Sequence, residues 1–394
     1  VTGFPSIAWR PLRAGLPAAV VLATLVGPFA PVFARQEGAP ATTPGAAARK
    51  KDRLAEPWPD AERLRRRREA AQGLPLFRTA QPLDITLSAP FRDVSGDRTV
   101  GSTKRFPGVL TVPGDGGKPV AIPVKLGTRG HLRLNRRVCA FVPLKVEFSK
   151  PAAKGTPFES QGSLKMVTHC QNSGDYDQYV LGEALAYRIA NLVTPYSFRV
   201  RLARTTYLDS ASGKKLTTRW SMFVEDQDDV ARRAEARLAP IEKRLFHQVD
   251  RPSLLRLAIF QVLIGNTDYS ISALHNVRLL QDRDGVLRPV AYDFDVSGVV
   301  NPPYAAADPK LRIASVQQRL YRGPCVPLDH LEPTLAEFRA KGAEILALCD
   351  AEPGFTQRTR TATKDYLKEF LDIIASQKRS KYLFVDKCRP LAGM

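Results

Sequence analysis

Between Leu83 and Lys150 apolar positions alternate with polar ones, or run unbroken over strand lengths, in LDITLSA, GVLTV, VAIPVKL and PLKVEFS. This is the pattern of β-strands, and PGDGGK supplies a hairpin turn between the second and third. SLKMVTHC reads as a further strand with Lys165 at its middle, where a cation either snorkels at an edge or points into a site. YVLGEALAYRIANLV then changes to helical spacing and is stopped at Pro195. FRVRLARTTYLD and TTRWSMFVED are two more strands joined by SASGKK. LLRLAIFQVLI predicts a buried helix, and VRLL and LRPVAYDF around QDRDG predict a hairpin. LEPTLAEFRAKGAEILALC and TQRTRTATKDYLKEFLDIIASQ carry apolar stripes at helical spacing and predict scaffold helices. The pattern is α+β: β-rich over residues 76–226 and helical over 227–394.

The ends read differently. Arg10 and Arg13 precede the uncharged run AGLPAAVVLATLVGPFA, and Val32 and Ala34 suit a small-residue cleavage site. Residues 1–34 are therefore read as a signal peptide cleaved near Ala34, with an uncleaved membrane anchor as the alternative. Residues 35–75, rich in Ala, Pro and Arg, read as a linker, within which DAERLRRRREAAQ has the makings of a short exposed helix. Export would place the five cysteines in an oxidising compartment. Cys139 and Cys170, in neighbouring strand segments, are expected to pair first. Cys325 with Cys349 is the second expectation, leaving Cys388 free. No spacing suits a structural zinc site.

Net charge is +20, and removing residues 1–34 takes away two arginines and no acid, leaving +18. Such a balance favours anionic partners, among them nucleotides, envelope polymers and anionic surfaces. No nucleic-acid-binding module accompanies the charge, and no nucleophile-elbow pattern is present. The chain is expected to act as a monomer.

Chemistry concentrates between Gly265 and Gly298. GNTDYSISALHN follows the buried helix, and VAYDFDVSG ends the hairpin. Asp268, Asn276, Asp293 and Asp295 thus stand at the mouths of apolar segments as oxygen donors suited to a hard cation. Asn, Asp, Ser and Gly are also the ordinary turn formers. Upstream, Arg129 beside Gly130 offers paired donors to a phosphate. Lys165 on a strand followed by Glu183 on a helix has the order of a phosphate-positioning pair, and Glu225 closes the last strand before the helical half.

GNTD…HN with YDFDVSG, together with RGHLR…CAFVPLKVEF and SLKMVTHC, resembles exported bacterial proteins related to the spore-coat CotH kinase-like family and, more distantly, HipA-type kinases. The likeness runs from about Leu83 to Cys325. It implies a bilobal protein-kinase-like fold, with a β-rich N-lobe, a helical C-lobe and the site between. On that resemblance Lys165 would contact the phosphates of ATP or another nucleotide, Glu183 would pair with it, and Asp268 would be the catalytic aspartate. Asn276 and Asp293 would hold Mg2+ or Mn2+, and Asp295 would be a second ligand or a replacement for Asp293. Arg129 and Glu225 would complete the nucleotide site. Asp268 and Asn276 lie further apart than in an ordinary kinase catalytic loop, so Asn266 and His275 compete for their roles, and no glycine-rich loop is present. The activity implied is transfer of a γ-phosphoryl group to a protein or envelope-polymer hydroxyl. The alternatives are an inactive pseudokinase on the same fold, or a protein that binds acidic envelope polymers.

Overall fold

Alternating burial closes the first seven strands into a barrel. The computed structural model describes residues 56–114, 117–240 and 246–388; the expected signal peptide and its cleavage site lie outside them. In β1 (Leu83–Ala89) every second residue from Leu83 is buried. β2 (Phe106–Pro113), β3 (Pro119–Thr128), β4 (Leu144–Phe148) and β5 (Ser163–Val167) follow as antiparallel neighbours. The hairpin of β6 (Val200–Asp209) and β7 (Lys215–Val224) completes the ring. β7 pairs with β5, and β6 runs parallel to β1 from Leu83↔Ala203 to Ala89↔Asp209. Closure leaves no free sheet edge. Leu87, Leu110, Ile122, Tyr207 and Phe223 fill the interior and are fully buried, each large apolar side chain contributing about 2 kcal/mol.

The helices gather on the outside. Asp60 accepts from Arg63 N to cap α1 (Ala61–Gln72), and the short α2 (Phe91–Gly96) packs Phe91 and Val94 into the barrel core. α3 (Tyr176–Val193) is buried almost all round and lies on β6 and β7. A helix that is apolar on all sides must be covered on all sides. α4 (Gln227–Arg233) leads to the short strand β8 (Arg237–Leu238). α5 (Arg251–Ile264) begins before the predicted LLRLAIFQVLI, because Asp250 accepts from Ser253 N and Pro252 sits in the first turn. β9 (Val277–Gln281) and β10 (Leu287–Ala291) form the predicted hairpin, and β8 joins it as a third strand. α6 (Leu328–Ala340), α7 (Gly342–Asp350), α8 (Gln357–Ile374) and α9 (Gln377–Lys381) end the described chain with a π-helical turn over Tyr382–Asp386.

The architecture is α+β, as expected, with the main sheet closed as a barrel and not clearly divided into two lobes. One apolar cluster runs without a break from Val167, Leu202, Met222 and Val224 on the barrel's outer face, through α3, to α5 and the C-terminal helices. Residues 52–394 accordingly form one compact unit. The end of the supposed linker is also part of it. α1 buries Leu64 and Ala71 and packs on α4, and Arg199 donates to the carbonyls of Ala71 and Gln72. No described helix is long and apolar enough to cross a membrane.

Cys139–Cys170 is formed as expected. The second disulfide is Cys325–Cys388, which corrects the expected pairing with Cys349. Cys349 lies on α7 buried in the helical core, its Sγ 3.6 Å from the carbonyl of Arg360 on α8. A thiol facing that helix–helix contact cannot reach the surface segment that carries Cys325. Two disulfides in one chain match an oxidising compartment.

Candidate functional site

α5 delivers the chain to the site through Gly265, whose φ of 66° places it in the left-handed region. Any side chain there would collide with the Tyr366 hydroxyl, 1.9 Å from an ideal Cβ. The same hydroxyl crowds Gly298, and Gly298 N donates to Gly265 O at 3.0 Å. These two small residues let the segments bearing Asp268 and Asp293 lie back to back.

Asp268 and Asn276 are eight residues apart in sequence, yet they touch: Asn276 Nδ2 donates to Asp268 O at 2.8 Å and to Asp268 Oδ2 at 3.0 Å. The residues between them are looped out by a bridge in which Ser270 and His275 exchange both backbone hydrogen bonds at 3.0 Å. The spacing that set this stretch apart from an ordinary kinase loop is thus absorbed by a small hairpin, anchored by buried Ile271. His275, the expected competitor, joins the site rather than replacing a member. Its Nε2 lies 2.9 Å from Asp268 Oδ1, and that hydrogen bond raises the imidazole pKa. Asn266 is buried and supports the turn, accepting from Asp268 N at 2.9 Å. Arg322, which no sequence signal singled out, donates to the carbonyls of Thr267 and Tyr269 on either side of Asp268.

Leu274, Asn276 and Asp293 all have positive φ, between 51° and 65°. Asn and Asp tolerate that conformation; Leu274 does not, and such outliers collect where a structure over-determines its backbone. Asp293 N donates to Tyr187 Oη at 2.9 Å, and Phe294 packs 4.6 Å from the Tyr187 ring. α3 therefore sets the position of Asp293. Asp295 is held differently. Tyr304 donates to it at 3.4 Å, and burial, reinforced by the charge of Asp293, pushes its carboxyl up to about 7.

Leu164 and Met166 belong to the barrel interior, so Lys165 between them projects from the outer face. Its Nζ lies 4.5 Å from the centre of the Tyr292 ring, beside Asp293. Burial lowers its pKa to about 8, and the charge of Arg129 works in the same direction. Arg129 thus reaches the site. The expected ion pair between Lys165 and Glu183 is absent among the described residues, a second correction. Glu183 faces Arg133, Asp295 and Tyr304 across a small cavity with room for about one water. Burial, then the charges of Asp295 and Asp293, hold its carboxyl well above the usual range, with Arg133 opposing them. Arg133 is buried, donates to Thr168 O and leaves Nε without a partner. It lay in plain view in RGHLR, but only the fold shows that it, not Lys165, lines the same cavity as the helix carboxylate.

Glu225 is also corrected. Its two oxygens accept from Arg199 N, Nε and Nη2 and from Arg233 Nε and Nη2, at 2.6–3.0 Å. A carboxylate so saturated pins β7 to α4 and has nothing left for a nucleotide.

Of the three expected metal ligands, Asn276 and Asp293 share the mouth with Asp268, while Asp295 turns back toward Arg133 and Tyr304. No three His, Cys, Asp or Glu side chains among the described residues stand close enough to hold a metal ion. The donor set still fits a magnesium-like cation that keeps most of its sphere for water and phosphate. The Asn276 amide is committed to Asp268 through its nitrogen, which leaves its oxygen to serve as a ligand.

No family model matches the chain, and no curated protein matches it. Among solved structures it is similar to the Helicobacter pylori proinflammatory kinase CtkA, at 11% identity and a TM-score of 0.34, over 61% of this chain and 92% of that one. An overlap that loose does not by itself establish a shared activity.

Proposed function

We propose that the chain is an exported, metal-assisted phosphotransferase that moves the γ-phosphoryl group of ATP or another nucleotide to a hydroxyl on a protein or envelope polymer. The observation that carries the reading is the contact of Asp268 with Asn276, closed over the Ser270–His275 hairpin beside Asp293. Turn formers alone have no reason to converge in this way. The resemblance of GNTD…HN and YDFDVSG to kinase-like proteins supports it, and the two disulfides support export.

In this reading Asp268 receives the acceptor hydroxyl. Oδ1 and Oδ2 each accept one hydrogen bond, from His275 and Asn276, and each keeps a lone pair for the incoming group. The hydroxyl oxygen bonds to the γ-phosphorus as the bridging P–O bond breaks; its proton passes to Asp268, and the nucleoside diphosphate leaves. Lys165 and Arg129 neutralise phosphate charge from the barrel side. Mg2+ or Mn2+, when bound by Asp293 and Asn276, would supply further neutralisation of the phosphates. Positioning and charge do most of the work.

Incubation with radiolabelled ATP and Mn2+, with casein as acceptor and the chain itself as a second, tests this. Asp268→Ala should lower transfer at least a hundredfold and leave nucleotide affinity within about threefold; Asp293→Ala should lose transfer together with the metal-dependent part of nucleotide affinity. Full transfer by both variants would sink the assignment. One observation favours the pseudokinase reading: Glu183 faces Arg133 instead of Lys165. Nucleotide binding with no transfer to any acceptor would select it.

A further inference from the structure

Several arginines of the described chain find carboxylates: Arg188 meets Glu352, Arg199 and Arg233 meet Glu225, and Arg256 meets Glu337. At the site this stops. Lys165 and Arg278 both lie over Tyr292, at 4.5 and 4.8 Å from the ring centre, and neither makes an ion pair among the described residues. Arg278 donates to Gln227 Oε1 at 3.3 Å and to its own neighbour's carbonyl, Val277 O, at 3.2 Å, and its side chain also interacts with that of Tyr292. Arg129 is the strongest cationic neighbour of Lys165, and it too lacks a carboxylate partner. Asp293 and Asp226 are the acids that act on Lys165 from a distance, and burial with the two arginines outweighs them. Directly across from Lys165 on β4, Lys145 turns to Glu147 at 3.3 Å.

Two cations over one aromatic ring, with Arg129 near enough to act on Lys165, repel one another, and half-buried they are poorly screened by water. The fold holds them together regardless, through β5, β9 and the segment after β3. Such a cluster is relieved by an anion carrying several charges at close spacing. Orthophosphate carries its charge on one compact tetrahedron; a chain of linked phosphoryl groups spreads more charge over a greater length and can meet separate side chains at once. The metal side of the mouth is sparse by comparison, with no group of three His, Cys, Asp or Glu side chains among the described residues able to hold a metal ion.

We propose that Lys165 and Arg278 over Tyr292, together with the neighbouring Arg129, form a subsite for a condensed phosphate chain that binds without a metal ion. This rests on the phosphotransferase reading for the site's place in a reaction, but not for the binding itself. Tyr292 holds Lys165 and Arg278 by cation–π contact until the anion arrives. Charge neutralisation of the chain is then supplied mainly by fixed side chains.

The test is isothermal titration of the full chain in EDTA with inorganic tripolyphosphate, ATP, orthophosphate and adenosine at matched ionic strength. Tripolyphosphate should bind at least tenfold tighter than orthophosphate, ATP should follow tripolyphosphate, and adenosine should not bind. Arg278→Met should weaken tripolyphosphate at least tenfold, with Arg278→Lys recovering part of the loss; unchanged urea midpoints without ligand show that both variants are folded. Tripolyphosphate no tighter than orthophosphate, ATP binding without tripolyphosphate binding, or full affinity in folded Arg278→Met would each overturn the proposal. Tripolyphosphate binding in EDTA with no phosphoryl transfer under any metal would overturn the proposed function alone. Transfer activity with tripolyphosphate bound only in the presence of metal would overturn this inference alone.

Discussion

Burial and Arg129 bring Lys165 down to about 8 from an ordinary lysine value of 10.5. In the unfolded chain the ammonium keeps its proton to higher pH, so between about 8 and 10.5 the unfolded state binds more protons. Stability contributed through this residue therefore rises with pH across that window. Ligand affinity runs the opposite way, since the anion needs the charged form and is released as pH rises through about 8. Replacing Lys165 with Met removes both effects. We expect Lys165→Met to stabilise the chain at pH 7, by up to about 3 kcal/mol if the whole shift is strain. Its urea midpoint should flatten between pH 8 and 10, and its phosphate affinity should vanish. A variant less stable than the parent at pH 7 would mean that Lys165 is held by a favourable contact, not tolerated for function.

At the scale of elements, the junction of α5 with the Asp293 segment depends on Gly265 and Gly298 lying against Tyr366. Gly265→Ala meets two separate penalties: a left-handed backbone, costing about 1 kcal/mol, and a Cβ driven into the Tyr366 hydroxyl. The total should reach about 2–4 kcal/mol. Tyr366→Phe removes the hydroxyl and with it the hydrogen bond to Gln317 O at 3.1 Å, which by itself costs about 1 kcal/mol. In the double variant the clash is eased, so its destabilisation should fall short of the sum of the singles. Additive losses in equilibrium unfolding would show that the backbone conformation, not the hydroxyl, closes this junction. The elements were legible where one physical rule decides them. Alternation in LDITLSA and the all-apolar face of LLRLAIFQVLI place β1 and α5 without knowledge of neighbours. The parallel pairing of β1 with β6 was not legible, because it joins Leu83 to Ala203 and no local pattern encodes a partner so distant. The site divides in the same way. Asp268, Asn276 and Asp293 follow from their turns, whereas Arg133 beside Glu183, and Arg278 beside Tyr292, depend on how the barrel meets the helices. Spacing along a strand tells which face a lysine takes, but not which carboxylate it will meet.

For the whole molecule, the two disulfides tie different segments near residues of the site. Cys139–Cys170 ties the Arg133 segment to the end of β5 across 31 residues, and Cys325–Cys388 fastens the last described turn to the segment after Arg322 across 63 residues. Loop-closure entropy gives the longer one about 4 kcal/mol and the shorter slightly less. Their consequences for function should differ. Opening Cys325–Cys388 frees the C-terminal turn, while Arg322 still grips Thr267 and Tyr269 and Asp268 stays seated. Opening Cys139–Cys170 loosens the loop from which Arg133 reaches Glu183 and Asp295. We expect Cys325→Ser/Cys388→Ser to lower the urea midpoint markedly and keep most phosphate-chain affinity at temperatures where it remains folded. Cys139→Ser/Cys170→Ser should lose affinity and stability together. Thiol counting separates this arrangement from the alternative pairing. With Cys349 buried as the one unpaired cysteine, iodoacetamide should label nothing in the folded, unreduced chain and a single site on unfolding, at Cys349. A label on Cys388 instead would return the pairing to Cys325 with Cys349, and would detach the C-terminal turn from the segment that carries Arg322.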